Sequence, residues 1–208
     1  MSIRVEVTPD PKHELSDPGG VTCEQRAEIT VDPETFEQLW TPSTLELLAR
    51  LYWRFVETRT RGLVRIEYGQ KSQTVGLARP WIPLIRFRLP EFHTDADRAW
   101  VQWPIEQGLL VARAGRGQGY LRIEAVRDQL DPNQSGVRKL TVSSTVSNFY
   151  PWIRGSGWFS RVGGWIYSQT QLRIHIAITN GFLESLSTVP DEVIRAGAAP
   201  EDRGAGPL

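Results

Sequence analysis

At 208 residues the chain is long enough for one domain with a substantial core. Its 24 basic and 24 acidic side chains balance, so no global charge draws in nucleic acid or an anionic membrane. A lone cysteine, Cys23, excludes an internal disulfide framework and metal sites built on several thiolates. Residues 1–14 lack a basic segment followed by an apolar one, and no apolar run approaches the ~18 residues of a membrane span. The expected location is the cytosol.

Residues 1–22, with Pro9, Pro11, Pro18, Gly19 and Gly20, read as a flexible leader in which Ile3–Val7 alternates as an edge strand would. Residues 23–31 make a first strand with Ala27, Ile29 and Val31 on one face. Asp32 followed by Pro33 then starts a short helix with Phe36, Leu39 and Trp40 as its apolar side. Thr41 and Pro42 start a longer one through Leu45, Leu48, Tyr52, Phe55 and Val56, ending near residues 60–62.

From Gly62 the period changes to two. Val64, Ile66 and Tyr68 share a face, and residues 73–78 read as the return strand. Residues 79–83, with Pro80 and Pro83, read as an irregular connection. Residues 84–92 alternate Ile85, Phe87 and Leu89 against arginines, and Pro90 marks an edge or a bulge. After a polar turn at 93–98, residues 99–105 set Val101, Trp103 and Ile105 against Trp100 and Gln102. Residues 108–114 and 119–126 read as a hairpin, and 137–149 as a long strand rich in Val, Thr and Ser.

Residues 157–187 carry Trp158, Val162, Trp165, Leu172, Ile176 and Leu183 at helical spacing, with Gln169 and Thr179 set into the stripe. That spacing predicts a long C-terminal helix, about 45 Å at ~1.5 Å per residue. Residues 188–208, rich in Ala, Gly, Pro and charge, read as a disordered tail, leaving 23–187 as a single domain.

The order of strand, two helices, antiparallel strands and one long terminal helix resembles the helix-grip fold. That fold belongs to the START-like, or SRPBCC, superfamily, with its Bet v 1 allergens and polyketide cyclase/dehydrase members. The opening Ile29-Thr-Val-Asp-Pro-Glu-Thr-Phe-Glu-Gln-Leu-Trp40 and the closing helix carry the likeness. The resemblance implies an α+β domain: a curved antiparallel sheet wrapped around the C-terminal helix, with two helices between the first and second strands. It also implies a deep cavity holding a lipid, sterol or polyketide-like molecule. The longer second helix and the Pro80–Pro83 segment depart from the superfamily's pattern.

Eight tryptophans serve either as a large aromatic core or as cavity lining, and both readings can hold at once. The residues expected to line a cavity are Phe87, Val101, Trp103, Ile123, Val142, Trp165, Gln169, Leu172, Ile176 and Thr179, with Tyr68 and Arg173 as polar members. A one-residue slip in register would turn each strand member to the other face. No catalytic residue, metal ligand or organic cofactor is assigned. The histidines lack metal spacing, residues 115–119 sit between strands rather than before a helix, and Cys23 reads as a structural thiol. The expected function is binding, carriage or sensing of a small hydrophobic ligand. The alternatives are a cyclase- or dehydratase-like enzyme using His175, Tyr68 or Arg173, and a structural or interaction domain packed solid by tryptophan.

Overall fold

Both helix starts written in the sequence are built. The computed structural model describes residues 3–8, 12–16, 20–111, 116–128, 136–149 and 178–188. Asp32 caps α1 (Pro33–Leu39): its Oδ1 accepts from the Thr35 backbone N–H at 2.9 Å and its Oδ2 from the Thr35 hydroxyl at 2.8 Å. Pro33 occupies the first helical position, where no N–H is needed. Thr41 does the same for α2 (Pro42–Arg59), its Oγ1 accepting from the Thr44 backbone at 3.2 Å. At the far end Thr60 donates its hydroxyl to the Val56 carbonyl, and Arg61 and Gly62 take φ of 52° and 74°. That left-handed pair turns the chain out of the helix and into the sheet.

The strands are β1 (Ile3–Val7), β2 (Lys12–Ser16), β3 (Gly20–Val31), β4 (Val64–Tyr68), β5 (Ser72–Ala78), β6 (Trp81–Arg88), β7 (Glu91–Thr94), β8 (Arg98–Gln107), β9 (Tyr120–Arg127) and β10 (Arg138–Phe149). They form one ten-stranded sheet in the order β1-β3-β10-β9-β8-β6-β5-β4, and every pairing is antiparallel. β1 and β2 share one edge of β3, against Ala27–Val31 and Gly20–Glu24 respectively. Residues 3–7 pair as the edge strand their alternation announces, and residues 12–16, expected to be exposed leader, find a strand edge as well. β7 and then β6 follow one another along β8.

The expected strand over 84–92 divides into β6 and β7 because Pro90 has no N–H to donate and the β6–β8 register shifts between Arg86 and Phe87. Trp81–Pro83, expected to be irregular, begins β6. There the Trp81 ring lies on Gly76 of β5, where a Cβ would come within 2.8 Å of it. Gly108–Leu110, expected to be a strand, is instead a turn.

Every second residue faces the helices, so the register aligns the inner face in rungs. Ala27, Val142, Ala125 and Ala99 form one rung across β3, β10, β9 and β8, and Gln25, Ser144, Ile123 and Val101 form the next. α2 lies against β4, β7 and β8. From it Trp53 meets Trp103 edge-on at 5.2 Å between ring centroids and Phe87 at 5.5 Å. Tyr52 stacks on Trp103 at 5.9 Å and meets Phe182 at 5.0 Å.

The rod expected over residues 157–187, and with it the helix-grip arrangement, is corrected by the structure. The helix near the C-terminus is short, residues 178–185 (α3), followed by a 3₁₀ turn at Leu186–Thr188. Residues 150–177 lie outside the described residues. Helical spacing of apolar residues is not helix propensity: Gly163 and Gly164 would each cost a helix about 1 kcal/mol, and Ile174 and Ile176 are β-branched. Among the described residues, α2 supplies the aromatic side chains that pack against the sheet, the role the rod was expected to fill. No described helix is long and apolar enough to cross a membrane.

At the β7–β8 turn, Asp95 Oδ1 accepts from the backbone N–H groups of Asp97 and Arg98, and Oδ2 sits 2.9 Å from His93 Nε2. The Asp95 carbonyl accepts the Trp40 indole N–H at 2.9 Å, tying α1 to this turn. The His93 bond foremost, then the two backbone bonds, lowers the Asp95 carboxyl from 3.8 to about 2. A carboxyl lowered on folding stabilises the native state above its ordinary range and loses that contribution as pH falls through the folded value. An NMR titration should therefore place Asp95 near pH 2, with the turn loosening between pH 4 and 2 in the wild type and not in Asp95→Asn. Trp103→Ala should cost about 3–5 kcal/mol in denaturant unfolding. Trp100→Ala, on the other face of β8, should cost far less.

Candidate functional site

The alanine rung leaves room. Over Ala99, Ala125 and Val142, with Ile29, Val31 and Leu140 beside them, the inner face of the sheet is floored by alanines, β-branched side chains and one leucine. Phe36, Leu39 and Trp40 of α1 and Leu45 and Leu48 of α2 form the roof, and Leu186 and Ile3 complete the wall. Between them lies a cavity of about 100 Å³ whose walls are almost wholly apolar. Arg127 stands at its rim, with its guanidinium 4.6 Å from the Phe36 ring centroid and 5.6 Å from that of Trp40. Its Nη2 lies 3.6 Å from the Glu37 carboxylate. Such a cation over aromatic faces holds the roof edge in place and leaves the interior uncharged.

The residues expected at the site divide three ways. Phe87, Val101, Trp103, Ile123 and Val142 are all buried on the inner face, so the strand alternation is not slipped, but of these five only Val142 lines the cavity. Phe87 and Trp103 are instead packed against Trp53. Thr179 is buried on α3, its hydroxyl without a partner. Tyr68 ends β4 on the inner side of the register but is 66 % exposed, away from the cavity. Trp165, Gln169, Leu172, Arg173 and Ile176, and also His175, lie outside the described residues.

The lining that sequence reasoning missed comes from Ala99, Ala125, Phe36 and Leu45. Phe36 and Leu45 were visible as helix core. The alanines sat in strand patterns where larger neighbours drew attention, and only the pairing of three strands shows that small residues coincide.

The interior also holds polar atoms with no hydrogen-bond partner, among them both ends of the Gln25 amide, the Ser144 hydroxyl and the Trp53 indole N–H. Those four atoms belong to neutral groups, while Arg127 Nε and Arg138 Nε, of charged groups, are likewise buried without a hydrogen bond. His93 is outside the cavity, stacked on Trp100 at 5.4 Å in the exposed turn. Among the described residues no group of three or more His, Cys, Asp or Glu side chains is placed to hold a metal.

A larger hollow of about 510 Å³ lies on the outer face, bounded by Trp81, Pro83, Arg86 and Leu109. Its Trp81 ring is seated on Gly76 and its Arg86 is paired with Glu106 at 3.0 Å, while Glu67 and Arg116 also line it. No known protein family matches the chain, and no curated protein matches it either.

Cys23 is buried on the inner face of β3. Burial foremost, with the Glu24 charge second, raises its thiol from 9.0 to about 11. At pH 8 the folded protein should therefore react with an aromatic disulfide reagent far more slowly than the urea-unfolded chain, because only the thiolate attacks. Rapid stoichiometric labelling of the folded protein would place the thiol in an accessible site.

Proposed function

We propose that this chain binds, and so carries or senses, a small hydrophobic molecule in the cavity between the α1–α2 roof and the inner face of the sheet. The observation that carries the proposal is the cavity itself: an apolar hollow of about 100 Å³ over a rung of alanines, beside a core of aliphatic side chains and a cluster of large aromatics. Close-packed interiors keep few voids larger than a water molecule.

The volume narrows the ligand. An apolar cavity of roughly 150 Å³ accepts benzene, whereas a drug-sized site runs from roughly 300 Å³ upward. At about 100 Å³ the hollow is smaller than that benzene site, so a compact branched alkyl group fits it, a single aryl ring enters by displacing the roof slightly, and a sterol or folded polyketide does not fit. Charge balance and the lone, buried thiol support a cytosolic carrier with no nucleic-acid partner. Kinship with the START-like superfamily is part of the same proposal. What supports it is the antiparallel sheet and the helix pair between β3 and β4, and not a terminal rod.

Ethylbenzene serves as the test ligand. At a hundredfold over its Kd it should stabilise the wild type by about 2.7 kcal/mol, read as a rise in melting temperature. Ala125→Phe, which fills the hollow, should abolish that rise. Equal binding by the variant would move the site elsewhere. If no compact hydrocarbon shifts the wild type, and native mass spectrometry finds nothing co-purifying, the proposal fails.

A further inference from the structure

We infer that Gln25 and Ser144 form a neutral hydrogen-bonding subsite beside the cavity, which takes the uncharged polar end of the ligand, a carboxamide-like group offering both donor and acceptor. This rests on the cavity being the binding site, and it adds the chemistry of the ligand's other end.

The two residues face each other across β3 and β10, one rung on from Ala27 and Val142. Val142 lines the cavity, so the subsite adjoins its floor at ~7 Å along the strand. Gln25 is 2 % exposed and Ser144 fully buried. Directly opposed side chains in an antiparallel pair have Cβ atoms about 5 Å apart. Even so, Gln25 Nε2, Gln25 Oε1 and Ser144 Oγ all lack a partner. A sheet could have set two apolar residues here at no loss. Buried polar groups are ordinarily paired, and leaving three such atoms orphaned is costly unless a guest satisfies them.

The guest's charge follows from the surroundings. The buried polar side chains among the described residues are Gln25, Thr35, Gln73, Ser143, Ser144 and Thr179, and none of them is ionised. A carboxylate or ammonium would be stripped of water there with no opposite charge to meet it. Gln25 offers an amide N–H and a carbonyl, and Ser144 a hydroxyl able to act either way. A primary carboxamide answers all of these in one plane.

The test compares phenylacetamide with ethylbenzene, alike in their apolar part, on the wild type and on a Gln25→Met/Ser144→Ala double variant. Replacing both polar partners by apolar groups of similar shape removes orphaned atoms, so the variant should fold at least as well. Ser144→Ala alone serves should the double variant fail to express. The preference for phenylacetamide over ethylbenzene should fall at least about tenfold from wild type to variant, while ethylbenzene affinity holds. An unchanged preference overturns the subsite and leaves the cavity standing. So does a crystal structure of the wild type in phenylacetamide showing only an ordered water on Gln25 and Ser144. If ethylbenzene does not bind the wild type, the cavity reading fails. The Gln25 side-chain amide resonance then decides the subsite by itself: a shift on adding phenylacetamide retains it, and no shift overturns it.

Discussion

Trp53 of α2 and Trp103 of β8 meet edge to face with their ring centroids 5.2 Å apart, and this contact sets the distance between the helical layer and the sheet. It is the middle of a chain of rings running from Phe87 on β6 through Trp53, Trp103 and Tyr52 to Phe182 on α3. Each ring buries a large apolar area, and the edge-on and offset geometries are those an aromatic quadrupole favours. The cluster therefore acts as a spacer as well as a glue. The C-terminal half of α2 rests on two indoles, and its N-terminal half, with Leu45 and Leu48, passes over alanines. A straight helix held off at one end by tryptophan cannot also close onto a rung of alanines, so a hollow remains.

That division of labour separates two kinds of interior. Around Trp103 the packing is dense and specific, and losing a ring there is a matter of stability. Over Ala99 and Ala125 the packing is incomplete, and on the neighbouring rung Gln25 and Ser144 are buried without partners. Incomplete packing and orphaned polar groups each destabilise a core. The two occur on adjacent rungs of one inner face.

The outer face obeys different rules. Arg122 lies 4.7 Å from the Trp100 centroid and 5.0 Å from that of Tyr120, and its Nη2 donates to Gln102 at 2.6 Å. Arg86 pairs with Glu106 and His93 with Asp95. Exposed pairs of this kind contribute little each to stability. Their effect is to keep the outer face of a wide sheet solvated.

The amino-acid order by itself determined everything that depends on neighbours a few residues away. Asp32-Pro33 and Thr41-Pro42 announce helix starts because a cap needs only the next three N–H groups. The alternation of Val101, Trp103 and Ile105 announces an inward face because the pleat has a period of two. Properties spread over distant segments were not legible in this way. The long terminal rod was read from a stripe of apolar residues that a period of 3.6 accommodates but two adjacent glycines and β-branched neighbours oppose. The alternation of residues 3–7 is local, but the strand at 12–16 depends on a free edge of β3 that no local pattern reveals. The cavity exists only because the registers of β3, β10, β9 and β8 bring Ala27, Val142, Ala125 and Ala99 onto one rung. Caps and alternation are local, and so a linear reading finds them. The space between layers is set by which side chains meet across segments more than a hundred residues apart, and the tertiary structure alone decides that.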